Sequence, residues 1–360
     1  MNPDSLPFIV DAHLDLSMNA MDWNRDLTQT LTHIRSRESD MTDTPDRGKS
    51  TLSFEEMKKG QVGLCFATVI ARYVKQGNKL PGWHSPQQAW AHIQGQVAWY
   101  RQMEREGHLR NISNYAELED HLDSWNSDTS SNKIGYLMTL EGADSIVEMD
   151  HLYMMYDKGL RAIGPAHYGP GTYAFGTDSE GSIGNKGREL LTEMEKCGIA
   201  LDVTHLSDTS FWEAIDHYKG PVWASHSNCR SLVPHQRQFS DEQLKELINR
   251  NAVIGASFEA SMLVKGWQKG KSDPSSFPVL LSHVVDHMDH ICQLSGNCNH
   301  VGLGSDLDGG FGKEQCPYDL ESIADLQKIP AILQTRGYSE DDIRKITSKN
   351  WINALKASLP

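Results

Sequence analysis

The sequence predicts an α/β fold, specifically a (β/α)8 TIM barrel, and three observations carry that expectation. Short β-branched or apolar runs recur eight times along the 360 residues. Amphipathic segments of helical period separate them, and side chains able to hold a metal stand where the runs end. Strands buried on both faces of a parallel sheet read as nearly unbroken apolar runs, and a barrel carries its chemistry at the C-terminal ends of several strands. A doubly wound open sheet is the alternative that strand–helix alternation leaves open.

In chain order the runs are Phe8–His13, Gly63–Ala71, Ile134–Leu140, Leu160–Ala166, Ile199–Thr204, Val222–Ser225, Val253–Phe258 and Val301–Ser305. VGLCFATVIA and IGYLMTL are almost wholly apolar, as a strand covered on both faces requires. NKGRELLTEMEKCG and SDEQLKELINRN are the clearest helices. In the second, Ser240 or Asp241 can cap the start, and Leu244, Leu247 and Ile248 share one face. Two stretches interrupt the rhythm: the polar, charged segment from about Asp22 to Ser53, and the Gly/Ser/Thr-rich segment Tyr168 to Lys186. Both follow strand ends and are expected to be loops over the barrel mouth. With no linker, repeat or low-complexity tract, residues 1–360 are expected to form one domain.

Composition narrows the function. The chain is 38% hydrophobic and 23% charged, which is globular. Lys and Arg number 34 against 48 Asp and Glu, a net charge of −14 that repels phosphate backbones, so no nucleic-acid partner is expected. No apolar run is long enough to cross a bilayer, so no membrane partner is expected, and MNPDSLPFIVDAHLDL lacks the basic and apolar regions of a signal peptide. A cytoplasmic location follows as the expectation. The six cysteines form no C-x-x-C pair and are expected to be reduced thiols.

The chemistry-bearing residues sit at run ends. The first run closes on Asp11-Ala12-His13-Leu14-Asp15; residues two apart on a strand share a side, so His13 and Asp15 can reach one ion. Imidazole and carboxylate together suit Zn²⁺ and similar divalent ions. Glu141 follows the mostly apolar LMTL, where an unpaired buried carboxylate is costly and needs a salt-bridge partner or a cation. His205 ends LDVTH and His226 stands in WASHSNCR. Asp306 ends HVGLGSD and is placed to move protons, whereas Asp308 suits a cap before the glycine turn. Two carboxylates and three imidazoles are the inventory for two ions bridged by Glu141.

In that order these motifs resemble the renal (membrane) dipeptidases, the M19 metallopeptidases of the amidohydrolase superfamily. DAHLDL, TLEGADSI, GRELLTEMEKCGIALDVTHLSD, ASHSNCRSL, HMDHICQLSGNCNHVGLGSDLDGG and KNWINAL each resemble a family segment, and together they cover nearly the full length. The resemblance implies a zinc-dependent dipeptidase in which two divalent ions activate a water against the amide of a dipeptide, possibly one with a D-residue at its C-terminal position. It implies that His13 and Asp15 hold one ion, His205 and His226 the other, and Glu141 both. His167 would bind substrate and stabilise the oxyanion, Arg237 would grip the terminal carboxylate, and Asp306 would be the proton shuttle. A homodimer is also implied. Gln238 after that Arg, Leu14 between His13 and Asp15, Lys349 before the closing Asn and the glycine-rich stretch after His167 depart from the usual pattern. The substrate-side departures keep a second expectation open, a related amidohydrolase acting on N-acyl amino acids or another small amide or ester.

Overall fold

The computed structural model describes residues 6–75, 79–127 and 133–360. Nine parallel strands are present among them: β1 (Ile9–Leu14), β2 (Val62–Ile70), β3 (Leu109–Asn111), β4 (Ile134–Glu141), β5 (Leu160–Gly164), β6 (Ala200–Asp202), β7 (Val222–Trp223), β8 (Ile254–Ala256) and β9 (Val301–Leu303). Eight run in the order β7-β6-β5-β4-β2-β1-β9-β8. The ring closes where Ala224 bridges Ile254, with the Ala224 N–H donating to Val253 O at 3.0 Å and the Gly255 N–H to Ala224 O at 2.8 Å. The barrel expected from the sequence is therefore the fold, and the open sheet is not.

All eight expected runs contain a strand, but several strands stop short of the expected ends. β5 ends at Gly164, β6 at Asp202, β7 at Trp223, β8 at Ala256 and β9 at Leu303. Beyond those points the backbone leaves the ladder to aim functional side chains inward. β3 was not anticipated. It pairs with Ile134–Tyr136 on β4, the N-terminal part of that strand, while β5 pairs further along from Met138.

Strand alternation splits the core into two shells. Val10, Ala12, Leu64, Phe66, Leu137, Ala162, Ala200 and Trp223 fill the barrel interior together with Trp351 from the C-terminal helix. Their neighbours Cys65, Ala67, Tyr136, Met138, Ile163 and Leu201 pack outward against the helices. Near its end β1 breaks the alternation. Between Asp11 and Leu14, β1 advances three residues while β2 advances two, from Cys65 to Ala67. This bulge moves Leu14 to the outer shell and lets His13, adjacent to inward-facing Ala12, also face the interior.

Two glycines let the last strands close up. A Cβ on Gly255 or Gly304 would lie 1.9 or 1.8 Å from Ser225 O, so a side chain at either position would wedge open the seam beside His226. The helices start as their sequences dictate. Ser240, rather than Asp241, is the N-cap of Asp241–Asn249, forming a capping box with Gln243; Leu244 and Leu247 are buried and Ile248 partly so.

The polar segment after Asp22 is only partly a mouth loop. Asp22 and Trp23 reach the central cavity. The following stretch is pinned by Arg25, wholly buried, which donates to Glu38 (2.8 and 3.2 Å), Asp46 (2.9 Å) and Asn19 (2.8 Å), with Asp308 at 3.5 Å. Asp308 also accepts from Ser50 Oγ, the Thr51 N–H and Thr51 Oγ1 at 2.5–2.8 Å, so it tethers this segment to the turn after β9. In the glycine-rich segment, Tyr168 lines the cavity and the chain folds back through bridges Tyr168–Thr177 and Pro170–Phe175.

Candidate metal centre and active site

At the C-terminal mouth the barrel changes from apolar to polar. Along β4, Leu137, Thr139 and Glu141 share the inward face, so Glu141 comes to the mouth by simple period-two alternation. Thr139 Oγ1 lies 3.1 Å from Thr68 Oγ1, which lies 3.4 Å from His13 Nδ1. Glu141 Oε1 is the hub: His205 Nε2 lies 3.1 Å from it, His226 Nε2 3.5 Å, His13 Nε2 3.7 Å and His167 Nε2 3.9 Å. His13 Nε2 is also 3.6 Å from Asp15 Oδ2 and 3.8 Å from Asp306 Oδ1. All six side chains singled out for the metal centre and proton transfer thus converge, together with His167.

Two buried carboxylates outside the cluster aim these groups. Asp11 accepts from the Ser305 N–H (2.8 Å), Ser305 Oγ (2.5 Å) and the His13 N–H (3.2 Å), fastening the ends of β1 and β9. Asp202 does the same for β6 and β7, accepting from the Thr204 and Ser225 N–H groups at 3.0 and 3.1 Å. The backbone at His205 (φ 69°) and Asp306 (φ 59°) is left-handed, a conformation that costs a non-glycine residue and recurs where structure holds a side chain for function.

The electrostatics follow from burial and crowding. Burial works against a charged His13 ring, but Glu141, Asp15 and Asp306 outweigh it and raise its pKa to about 10. Burial raises Glu141 to about 7 and holds Asp306 well above the usual carboxylate range. Burial keeps His205 and His226 well below the ordinary histidine value, as neutral imidazoles. Their Nδ1 atoms face hydroxyls, Thr177 Oγ1 and Ser225 Oγ, each at 2.9 Å. A hydroxyl can accept from Nδ1–H, which leaves the Nε2 lone pair directed at the hub.

These residues fit a divalent cation. His13 Nε2 and Asp15 Oδ1 are buried and have no hydrogen-bond partner among the described residues. Three carboxylates share one desolvated cluster, a charge that a cation would balance. On distance, His13–Glu141–His226, Glu141–His167–His205 and His13–Asp15–Asp306 are each close enough to share an ion.

The cluster floors a cavity of about 470 Å³. Arg237 lines it, with Nη2 donating to His226 O (2.8 Å) and Nη1 to Ser227 Oγ (3.3 Å). Gln238 does not: its Nε2 donates to Val233 O and Met262 O and braces the loop that carries Arg237. The sequence reading missed Arg72, Lys269 and Glu259, which also line the cavity; Lys269 and Glu259 pair at 2.6 Å. Arg72 stands two residues beyond β2, and the strand-end rule that found Glu141 would have found it.

A closed parallel barrel that gathers imidazoles and carboxylates at its C-terminal mouth is the architecture of the barrel metallohydrolases. The chain belongs to one family of them, the membrane dipeptidases of peptidase family M19, which it matches over residues 6–358. It is 31% identical over 234 residues to a protein of Claviceps purpurea (strain 20.1) named dipeptidase tcpJ, an alignment taking in 63% of this chain. The chain spans about half of that relative, 51% of its length. Among solved structures, the fold resembles a metallopeptidase of Rhodobacter sphaeroides liganded with a phosphinate mimic of the dipeptide L-Ala-D-Ala. The two share a TM-score of 0.78 and 23% identity, covering 98% of this chain and 100% of that one. A protein described as dipeptidase AC, a metallopeptidase of family M19, resembles it equally, with TM-score 0.78, 23% identity and 99% of both chains covered. No helix among the described residues is long and apolar enough to cross a membrane.

Proposed function

We propose that the chain is a dipeptidase that hydrolyses the single amide bond of a dipeptide, with two divalent cations, zinc by preference, held by His13 and Asp15 on one side, His205 and His226 on the other, and Glu141 between them. The observation that carries this reading is the convergence of those five side chains on one buried point beneath a cavity that also presents Arg237 and Asp306. When bound, such a pair of cations lowers the pKa of water and polarises a carbonyl.

The chain's own groups supply the rest. Arg237, held by His226 O and Ser227 Oγ, presents a guanidinium to a free terminal carboxylate and so fixes register and substrate length. Asp306, whose carboxyl burial keeps prone to hold a proton, takes the proton of the attacking water and gives it to the departing amine. His167 donates to the oxygen on which negative charge develops. A D-residue at the C-terminal position is included in the proposed range because the Rhodobacter sphaeroides neighbour carries a mimic of L-Ala-D-Ala.

Turnover of a dipeptide panel including L-D pairs, alongside N-acyl amino acids, tests the assignment. Dipeptides are expected to be cleaved, chelation to abolish cleavage and zinc to restore it. Arg237→Ala is expected to raise KM for dipeptides about 10²-fold, and far less for amides lacking a free carboxylate. Undiminished turnover in metal-free protein refutes the metal assignment. Turnover of N-acyl amino acids with none of dipeptides puts the related amidohydrolase activity in its place.

A further inference from the structure

Arg72 is a half-buried cation that the proposed reaction does not use. It follows β2 by two residues, and the chain beyond it folds back: the Trp83 N–H donates to Arg72 O at 2.7 Å and the Val74 N–H to Trp83 O at 2.8 Å. Its Nη1 donates to Pro81 O at 2.8 Å. Its Nη2 lies 2.6 Å from His167 Nδ1. No carboxylate among the described residues pairs with it, unlike Lys269 at the same cavity.

We infer that Arg72 is a positioning residue that fixes His167 as a neutral ring with its proton on Nε2. A guanidinium has five N–H groups and no acceptor, so the short contact can form only if Nδ1 offers its lone pair. The ring proton is then on Nε2, the atom that faces the metal centre 3.9 Å from Glu141 Oε1. The other three histidines of the cluster lack this constraint. Their Nδ1 atoms face Thr68, Thr177 and Ser225 hydroxyls, which can accept a proton and leave Nε2 free to coordinate.

The consequence sorts the four rings. On distance alone, His167 is as able to share an ion with Glu141 and His205 as the others are. With Nε2 protonated it cannot coordinate through that atom. It is a fixed N–H donor instead, which is what a developing oxyanion needs. Arg72 touches neither substrate nor reacting atoms in this assignment; it acts through His167. The oxyanion part rests on the dipeptidase reading, whereas the tautomer does not.

The test is the side-chain ¹⁵N spectrum of histidine-labelled protein, with His167 assigned by loss of its signals in His167→Gln. In the wild type, Nδ1 of His167 is expected to be pyridine-like and Nε2 pyrrole-like. In Arg72→Met the proton is expected to redistribute between the two nitrogens. Arg72→Lys, which keeps a cation with no acceptor, is expected to retain the wild-type pattern in part. In the zinc-loaded enzyme Arg72→Met is expected to lower kcat by about 10–10²-fold while changing KM by less than about 3-fold, with free guanidinium restoring part of the loss. A pyrrole-like Nδ1 in the wild type, or a His167 pattern identical in wild type and Arg72→Met, overturns the inference. A wild type that cleaves no dipeptide yet shows the Arg72-dependent tautomer refutes the proposed function and supports this assignment.

Discussion

The Arg25 cluster allows one stability prediction to be worked from geometry. Arg25→Met keeps most of the apolar stem but deletes the guanidinium. It removes five charge-assisted contacts, two to Glu38 and one each to the Asp46 carboxylate, Asp46 O and Asn19 Oδ1, and leaves Glu38, Asp46 and Asp308 with less countercharge. Arg47 still reaches Glu38 at 2.8 Å, which softens the loss there, but neither Asp46 nor Asp308 gains a replacement among the described residues. Breaking a buried pair by removing one partner costs about 3–5 kcal/mol, and that range is expected here. In a domain of this size it amounts to a fall in Tm of roughly 4–7 °C. Urea unfolding of the metal-free protein measures it. A double-mutant cycle with Asp308→Asn isolates the mechanism, because removing the orphaned charge should recover about 1–3 kcal/mol of the loss. A cost under about 1 kcal/mol for Arg25→Met, with strict additivity in the cycle, would refute the account of a mutually dependent buried cluster.

Three further outcomes are expected. Asp306→Asn should keep the zinc content measured by mass spectrometry while lowering kcat about 10²–10⁴-fold; unchanged turnover would mean that another group moves the proton. Gly304→Ala should destabilise by about 1–3 kcal/mol in thermal unfolding, since its methyl would sit 1.8 Å from Ser225 O; a neutral effect would show that the seam is slack. His287 accepts the Cys229 N–H at Nδ1, and burial lowers its pKa from 6.5 to about 4. The unfolded chain therefore binds this proton at higher pH than the folded chain does. Stability should hold above about pH 6.5 and fall as pH drops toward 4, by up to roughly 3 kcal/mol. His287→Gln should flatten that part of the pH–stability curve, and an unaltered slope would assign it elsewhere.

What could be read from the sequence depended on whether a residue's neighbours in space were also its neighbours in pattern. Glu141 was legible because four mostly apolar strand residues precede it, and period two carries it to the mouth. His13 and Asp15 were found, but on the assumption of a regular strand; the bulge that turns His13 inward depends on pairing with Cys65 and Ala67, about fifty residues away. β3 escaped because three residues, Leu-Arg-Asn, are too few to display a period. Arg25 lay in a stretch read as a polar mouth loop, since nothing local distinguishes an arginine that will be buried from one that will be solvated. Asp308 was read as a turn cap, and its partners Ser50, Thr51 and Arg25 lie more than 250 residues earlier. Arg237 and Asp306 could be singled out, but that both meet one cavity required the closed barrel.

The extra residue in β1 gives the site a dependence on counting. Val10 and Ala12 lie inside the barrel, and a count of two carried on from them would put His13 and Asp15 outside, against the helices. The bulge resets that count, so both side chains turn inward together. A relative one residue shorter at Ala12 would lose the bulge and still present the pair inward, so a gap there is no sign of a lost ion, whereas a gap between His13 and Asp15 would part them.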